Sequence, residues 1–184
     1  DATRVTPPRL PPMPTVPGEA TVHSAIEYLR RTSLPVEPRK QWPAEGLPGY
    51  CLRGRIPEAL RPQAGKALCV WGDAGWGGLV SPGKYRDQRF ADELVDACAE
   101  LVRRWQPQPA PRWISCVPSW RRPELVPDFA RRLADALGLP FVPALVQTRD
   151  RPEQKNMANS ARQARNLDGS LAVASAQLPE GPVL

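Results

Sequence analysis

Proline is the residue that most restricts how this chain can fold. The sequence has 24 prolines among 184 residues, well above an average share of about 5%. Each proline fixes φ and removes a backbone N–H donor, so helices and strands stay short and loops stay stiff. A long helical bundle is therefore not expected. Hydrophobic residues still make up 41% of the chain, which is enough for a packed core.

The proline pattern and the periodicity of apolar residues divide the chain into three predicted regions. Six prolines lie within residues 1–20, where they favour an extended, polyproline-like linker. Residues 21–88 are predicted to form a small mixed α/β lobe, and residues 89–184 a larger α/β domain. Such a linker at the start of the chain leads us to expect further residues upstream.

Charge and cysteine content set the class of partner and compartment. The net charge of +6 and the pI of about 9.5 are compatible with a polyanion such as DNA, or with a basic surface that binds nothing specific. The four cysteines are far apart and His23 is the only histidine, so scattered buried thiols are expected rather than a zinc site. No apolar run is long enough to span a bilayer, and a cytoplasmic protein is expected.

The predicted small lobe contains one segment that could contact nucleic acid. A short helix is predicted over residues 21–31, followed by an extended, proline-rich segment over 34–43. In this segment Arg39, Lys40 and Trp42 could hold a nucleic-acid backbone and stack a base. Alternatively, Trp42 belongs to the core and Arg39 pairs with Glu37 or another carboxylate. Residues 67–71 and 77–80 are predicted strands joined by a glycine-rich turn.

The last third of the chain has the pattern of a strand–helix–strand crossover. Helices are predicted over 90–105 and 124–137, with Gly138 as the C-terminal cap of the second. Buried strands are predicted over 112–117 and 139–146. In open α/β sheets, ligands bind at the carboxyl ends of strands, which is where the loop 119–122 lies. Five arginines and no acid lie within 103–122, a pattern typical of phosphate binding or of a solvated basic face.

Three motifs in order carry a family resemblance. They are PVEPRKQWP at 35–43, GDAGWG at 72–77 and VPSWRRPELV at 117–126. Together they resemble the phosphoribosyltransferase-like region fused to the C-terminal side of bacterial RecQ-like DNA helicases. The resemblance implies a phosphate or DNA site that includes Ser119, Arg121 and Arg122. A series in the related competence-factor subgroup is similar to Arg151, Gln154, Arg162 or Arg165, and Asn166, which adds these residues to the candidates. Arg39, Lys40 and Trp42 stay candidates on their own chemistry.

The same resemblance implies a phosphoribosyltransferase-like fold with a mostly parallel sheet. In that family a paired-aspartate loop, which holds ribose phosphate and a metal, follows a segment like the last four residues of this chain. The sheet is therefore expected to be incomplete, with an edge that could support a dimer. No catalytic residue, metal or cofactor is expected in this chain.

The expected function is that of a non-catalytic accessory region of a DNA helicase involved in unwinding and repair, near the nucleoid. The chain lacks a Gly-x-x-x-x-Gly-Lys-Ser/Thr cradle and an Asp-Glu-x-His box, so ATP and Mg²⁺ are expected in motor domains of the same parent chain. Expected partners are DNA and those motor domains. Two alternatives stay open: a phosphoribosyltransferase or nucleotide-binding domain active only in the intact parent, and a structural docking module.

Overall fold

A computed structural model describes residues 16–174 and 177–184 of the chain. Most of the predicted linker, residues 1–15, lies outside the described residues. The described part is mixed α/β, with five α-helices and two small antiparallel sheets. The helices are α1 (Glu19–Arg31), α2 (Gly77–Pro82), α3 (Asp92–Trp105), α4 (Leu125–Leu137) and α5 (Ser160–Leu167). The strands are β1 (Leu34–Val36), β2 (Gly65–Ala67), β3 (Leu145–Gln147) and β4 (Leu171–Val173).

The three longest helices confirm the sequence predictions. α1, α3 and α4 each end at the predicted residue and begin within two residues of the predicted start. Gly138 caps α4 as expected: its φ is 67°, and its N–H contacts the carbonyl groups of Ala134 and Asp135. Glycine reaches this left-handed conformation without a steric penalty, which explains why the helix ends there.

The main core lies between α3, α4 and the extended segment that precedes α4. Ile114, Ala130 and Ala134 are buried together, and Phe141 and Leu184 pack against them. On α3, the buried side chains are Leu94, Val95, Ala99 and Leu101. The small alanines of α4 let the extended chain approach the helix closely, so this packing fixes where the following loop begins.

A phosphoribosyltransferase-like parallel sheet is not seen in the described residues. Parallel pairing is limited to isolated bridges, Trp113 to Val183 and Ile114 to Phe141. The strand predicted over 139–146 is displaced to β3, which pairs antiparallel with β4. Pro140 and Pro143 explain the difference, because proline cannot donate a hydrogen bond to a sheet ladder. The bridge at Ile114 nevertheless places two extended segments side by side across α4, as the predicted crossover requires.

The strand predicted over 77–80 is wrong, because these residues form α2. The preceding turn is organised by Asp73, whose carboxylate accepts hydrogen bonds from the N–H groups of Val70, Gly75 and Gly77 at 2.8–2.9 Å. A Cβ on Gly77 would lie 2.3 Å from the carbonyl oxygen of Val70, so only glycine fits there. The glycines therefore form a tight helix entry instead of a hairpin.

The remaining segments of the predicted small lobe are short. β1 pairs antiparallel with β2, and the strand predicted over 67–71 is limited to the last residue of β2. The prediction of buried thiols is wrong for Cys51, which is exposed, while the other three cysteines are half-buried. Among the described residues, no helix combines the length and apolar character needed to cross a bilayer.

Candidate phosphate-binding cleft

A cleft of about 470 Å³ opens where the extended segment 112–117 ends. Its walls come from the loop 118–122, the start of α4, residues 150–155, and the residues around α2. The π-helical turn Gly83–Asp87 follows α2 and contributes Lys84. The polar and aromatic lining residues are Trp71, Lys84, Phe90, Ser119, Trp120, Arg121, Arg122, Gln147, Asp150, Arg151, Glu153, Gln154 and Lys155.

The cleft carries an excess of positive charge. Its lining includes five cationic side chains and two carboxylates. One carboxylate, Glu153, lies 2.9 Å from Lys155 and 3.0 Å from Arg121. The hydrogen bond from Lys155, followed by the nearby positive charges, holds the pKa of Glu153 below its usual range. Glu153 thus stays ionised and partly neutralises two of the five cations.

The other three cations have no carboxylate within ion-pair distance in the part of the chain that the structure describes. Within the described residues, Lys84, Arg122 and Arg151 form no ion pair. Arg122 is nevertheless held in place, because its Nε donates to the carbonyl oxygen of Lys84 at 2.8 Å. The Nε of Arg151 is buried and has no hydrogen-bond partner in the described part of the chain. A buried, unpaired guanidinium nitrogen is energetically costly, and the Arg151 side chain that carries it lines the cleft.

Aromatic rings lie beside these cations. Trp71 and Trp120 line the cleft and are 55% and 57% exposed. Tyr85 contacts Trp71 edge to face, with ring centroids 5.9 Å apart. Lys84 Nζ lies 5.4 Å from both of these ring centres, and the Arg122 guanidinium lies 5.0 Å from the Tyr85 ring. Cation–π contacts of this kind hold the aromatic and cationic side chains in one cluster.

Five of the sequence-predicted residues meet in this cleft: Ser119, Arg121, Arg122, Arg151 and Gln154. Asn166, on α5, does not line the cleft but contacts the segment 150–155 that does. Its Nδ2 donates to Gln154 Oε1 at 2.7 Å and to the Pro152 carbonyl at 3.0 Å. Gln154 in turn donates to the carbonyl of Gln163 at 2.8 Å. Gln154 and Asn166 thus fix the segment that carries Arg151.

The other predicted residues do not line the cleft. Arg162 is exposed on α5, and Arg165 pairs with Glu45 at 2.5 Å. Arg39 and Lys40 are exposed and Trp42 is half-buried. It is Lys40, not Arg39, that pairs with Glu37, at 3.7 Å. The structure therefore does not join the segment 34–43 to the phosphate-binding candidates.

Sequence reasoning missed Lys84, Lys155, Trp71 and Tyr85. A signal existed for two of them, because Lys84 and Tyr85 place a cation beside an aromatic ring directly after Gly83. Trp71 and Lys155 carry no such local signal. Trp71 reaches the cleft only through long-range packing, whereas Lys155 directly follows the predicted residue Gln154.

No metal site accompanies the cleft in the described ranges: no group of three or more His, Cys, Asp or Glu side chains is placed to hold an ion. Comparison with family models, with curated proteins and with solved structures finds no match to the chain.

Proposed function

We propose that this chain is an accessory C-terminal region of a RecQ-like bacterial DNA helicase, and that its cleft binds DNA phosphates. The observation that carries the proposal is the meeting of Lys84, Arg122 and Arg151, unpaired among the described residues, in one cleft. The order of the three sequence motifs supports the helicase family. The parallel bridges of Trp113 and Ile114 support a phosphoribosyltransferase-like sheet as the underlying fold.

Phosphate oxygens suit this cleft for two physical reasons. A guanidinium group presents several donors in a fixed fork that matches phosphate geometry, and an ammonium group adds a point charge. The contact is sequence-independent, which fits an accessory region that follows DNA wherever the motor moves it. In this proposal unwinding is driven by ATP and Mg²⁺ in motor domains of the same cytoplasmic parent protein.

Fluorescence anisotropy with labelled forked and single-stranded DNA tests the proposal across a salt series. Binding should weaken with salt, since each neutralised phosphate releases condensed counterions. Arg151→Glu should weaken binding about tenfold or more and reduce the salt slope by about one. Charge reversal of Arg121 and Arg122 together should weaken it further.

Arg53→Glu is the matched control. Arg53 is exposed and does not line the cleft, so this variant changes the net charge equally and should bind nearly as the wild type does. Equal weakening by Arg53→Glu and Arg151→Glu would contradict a defined site. Absence of binding at low salt would favour the docking module instead.

A second candidate is a nucleotide-binding or phosphoribosyltransferase domain active in the intact parent. The observation in its favour is the cleft volume of about 470 Å³, which falls within the range of small-molecule sites. Isothermal titration calorimetry with a nucleoside monophosphate distinguishes this candidate from the DNA-binding one. Tight binding of the free nucleotide would support the second candidate.

A further inference from the structure

The exposed aromatic rings of the cleft are not explained by phosphate binding alone. Trp71 and Trp120 expose more than half of their surface beside unpaired cations. They belong to separate segments, the turn held by Asp73 and the loop 118–122. Large exposed aromatic surfaces next to positive charges are typical of sites that stack bases while holding the backbone.

The rings offer a contact that only an unpaired base can use fully. In a duplex the base faces are already stacked on each other, so an indole can stack on one only where the strand is open. Tyr85 packs edge to face with Trp71, and Lys84 Nζ and the Arg122 guanidinium lie 5.4 Å and 5.0 Å from its ring centre. This arrangement sets an aromatic platform directly beside groups that can hold the phosphate of the same nucleotide.

We infer that the cleft binds unpaired nucleotides of a single DNA strand, with bases on Trp71 and Trp120 and phosphates on Arg122 and Arg151. This inference rests on the proposed function and names the DNA structure that the cleft selects. A strand is favoured over a free nucleotide because the two indoles come from different segments and stay more than half exposed. A site for one small ligand would instead bury most of the ligand's surface.

The test compares a labelled 12-nucleotide thymidine oligomer with a duplex of equal length by fluorescence anisotropy. The wild type should bind the single strand about tenfold more tightly. Trp120→Ala should weaken single-strand binding about fivefold to fiftyfold, in line with the known contribution of base–aromatic stacking. Its duplex binding should stay unchanged. Trp120→Phe should recover most of the lost affinity, because a smaller ring can still stack.

Tyr28→Ala is the matched control. Tyr28 is 69% exposed on α1 and does not line the cleft, so this variant should bind both DNA forms as the wild type does. Circular dichroism checks that each variant is folded, and Trp71→Ala provides a second variant on another segment.

The outcomes separate this inference from the function on which it rests. Salt-dependent DNA binding with no preference for single strands and no effect of Trp71→Ala or Trp120→Ala overturns the inference alone. A nucleoside monophosphate that displaces the oligomer at equal affinity also overturns it and favours a nucleotide pocket. Absence of all DNA binding overturns the inference and the proposed function together.

Discussion

At the scale of single residues, Glu153 limits how strongly the cleft attracts anions. It neutralises part of the charge of Arg121 and Lys155 at about 3 Å. Glu153→Gln removes that negative charge while keeping the shape of the side chain. We expect DNA affinity to rise about twofold to fivefold, as for other exposed charge pairs, with a steeper salt dependence in the anisotropy titration.

The control for this variant is Glu58→Gln, which makes the same change in net charge. Glu58 is exposed and does not line the cleft, so its replacement should leave affinity nearly unchanged. An unchanged or lower affinity of Glu153→Gln would show that Glu153 positions the cations more than it neutralises them.

Cys98, on α3, should make the free energy of unfolding decrease at alkaline pH. Burial, with a smaller contribution from Cys69, raises the pKa of the Cys98 thiol from 9.0 to about 11. The unfolded chain loses this proton first, so the thiol contributes stability below pH 9 that is lost as the pH rises through about 11. The loss should be about 1–2 kcal/mol.

Urea unfolding at pH 8 and pH 11 measures this effect. Cys98→Ala should flatten the decrease in the free energy of unfolding between the two pH values. Cys51→Ala is the control, because Cys51 is exposed and its removal should leave the decrease as in the wild type. An identical pH dependence in Cys98→Ala and wild type would contradict the assignment.

At this scale the sequence predicted part of the site. Ser119, Arg121 and Arg122 share one loop after an apolar segment, so local pattern alone brings them together. Lys84 and Trp71 lie more than 30 residues earlier in the chain, and they reach the cleft from the turn Gly83–Asp87 and from the turn held by Asp73. Nothing in the local spacing of these residues encodes that approach.

At the scale of elements, Arg132 links the start of α3 to α4. Its guanidinium donates to Asp128 at 2.6 Å, to Asp92 at 2.7 Å and to the carbonyl oxygen of Phe90 at 2.8 Å. The side chain is only 18% exposed. Hydrogen bonds with a charged partner are stronger than neutral ones, and truncation leaves the acceptors unpaired.

Arg132→Ala should therefore lower the free energy of unfolding by about 1–3 kcal/mol, measured by urea denaturation. Arg131 is the neighbouring control: it is exposed, with its guanidinium over the Phe141 ring. Arg131→Ala should cost less than about 1 kcal/mol. Equal losses in the two variants would show that the contacts of Arg132 add nothing to the packing of its helix.

The helices were predictable and the sheet was not, for a physical reason. Amphipathic periodicity and end signals are local, and α3 and α4 carry both. Strand pairing depends on partners far along the chain. Pro140 and Pro143 shift β3 toward β4, whereas the periodicity of 139–146 alone indicated a parallel partner of the segment 112–117.

At the scale of the whole molecule, several contacts join the two regions that the sequence predicts, residues 21–88 and residues 89–184. Glu45 pairs with Arg165, and Tyr50 donates to Asp168. Arg104 Nη1 donates to the carbonyl oxygen of Arg31 at 3.4 Å, and Arg122 donates to that of Lys84. These contacts cross the boundary that the sequence predicts between residues 88 and 89.

We therefore expect one cooperative unfolding transition, which differential scanning calorimetry would measure. Single-stranded DNA at about 100 times its Kd should stabilise the folded chain by about 2.7 kcal/mol. Arg151→Glu should reduce this stabilisation, and Arg53→Glu should retain it. Two separate transitions, only one of which shifts with DNA, would show that the two regions unfold independently.

The hydrogen bond from Arg122 to the Lys84 carbonyl has a consequence for how the protein would respond to force on bound DNA. The two residues stand on opposite sides of the predicted boundary, and both have cationic groups free of ion pairs among the described residues. A phosphate bound by both side chains would cross-link the two regions at that boundary. Tension on a bound strand would then reach both regions through the Arg122 guanidinium, in addition to the other contacts that join them, so that DNA binding and the rigidity of the molecule would increase together.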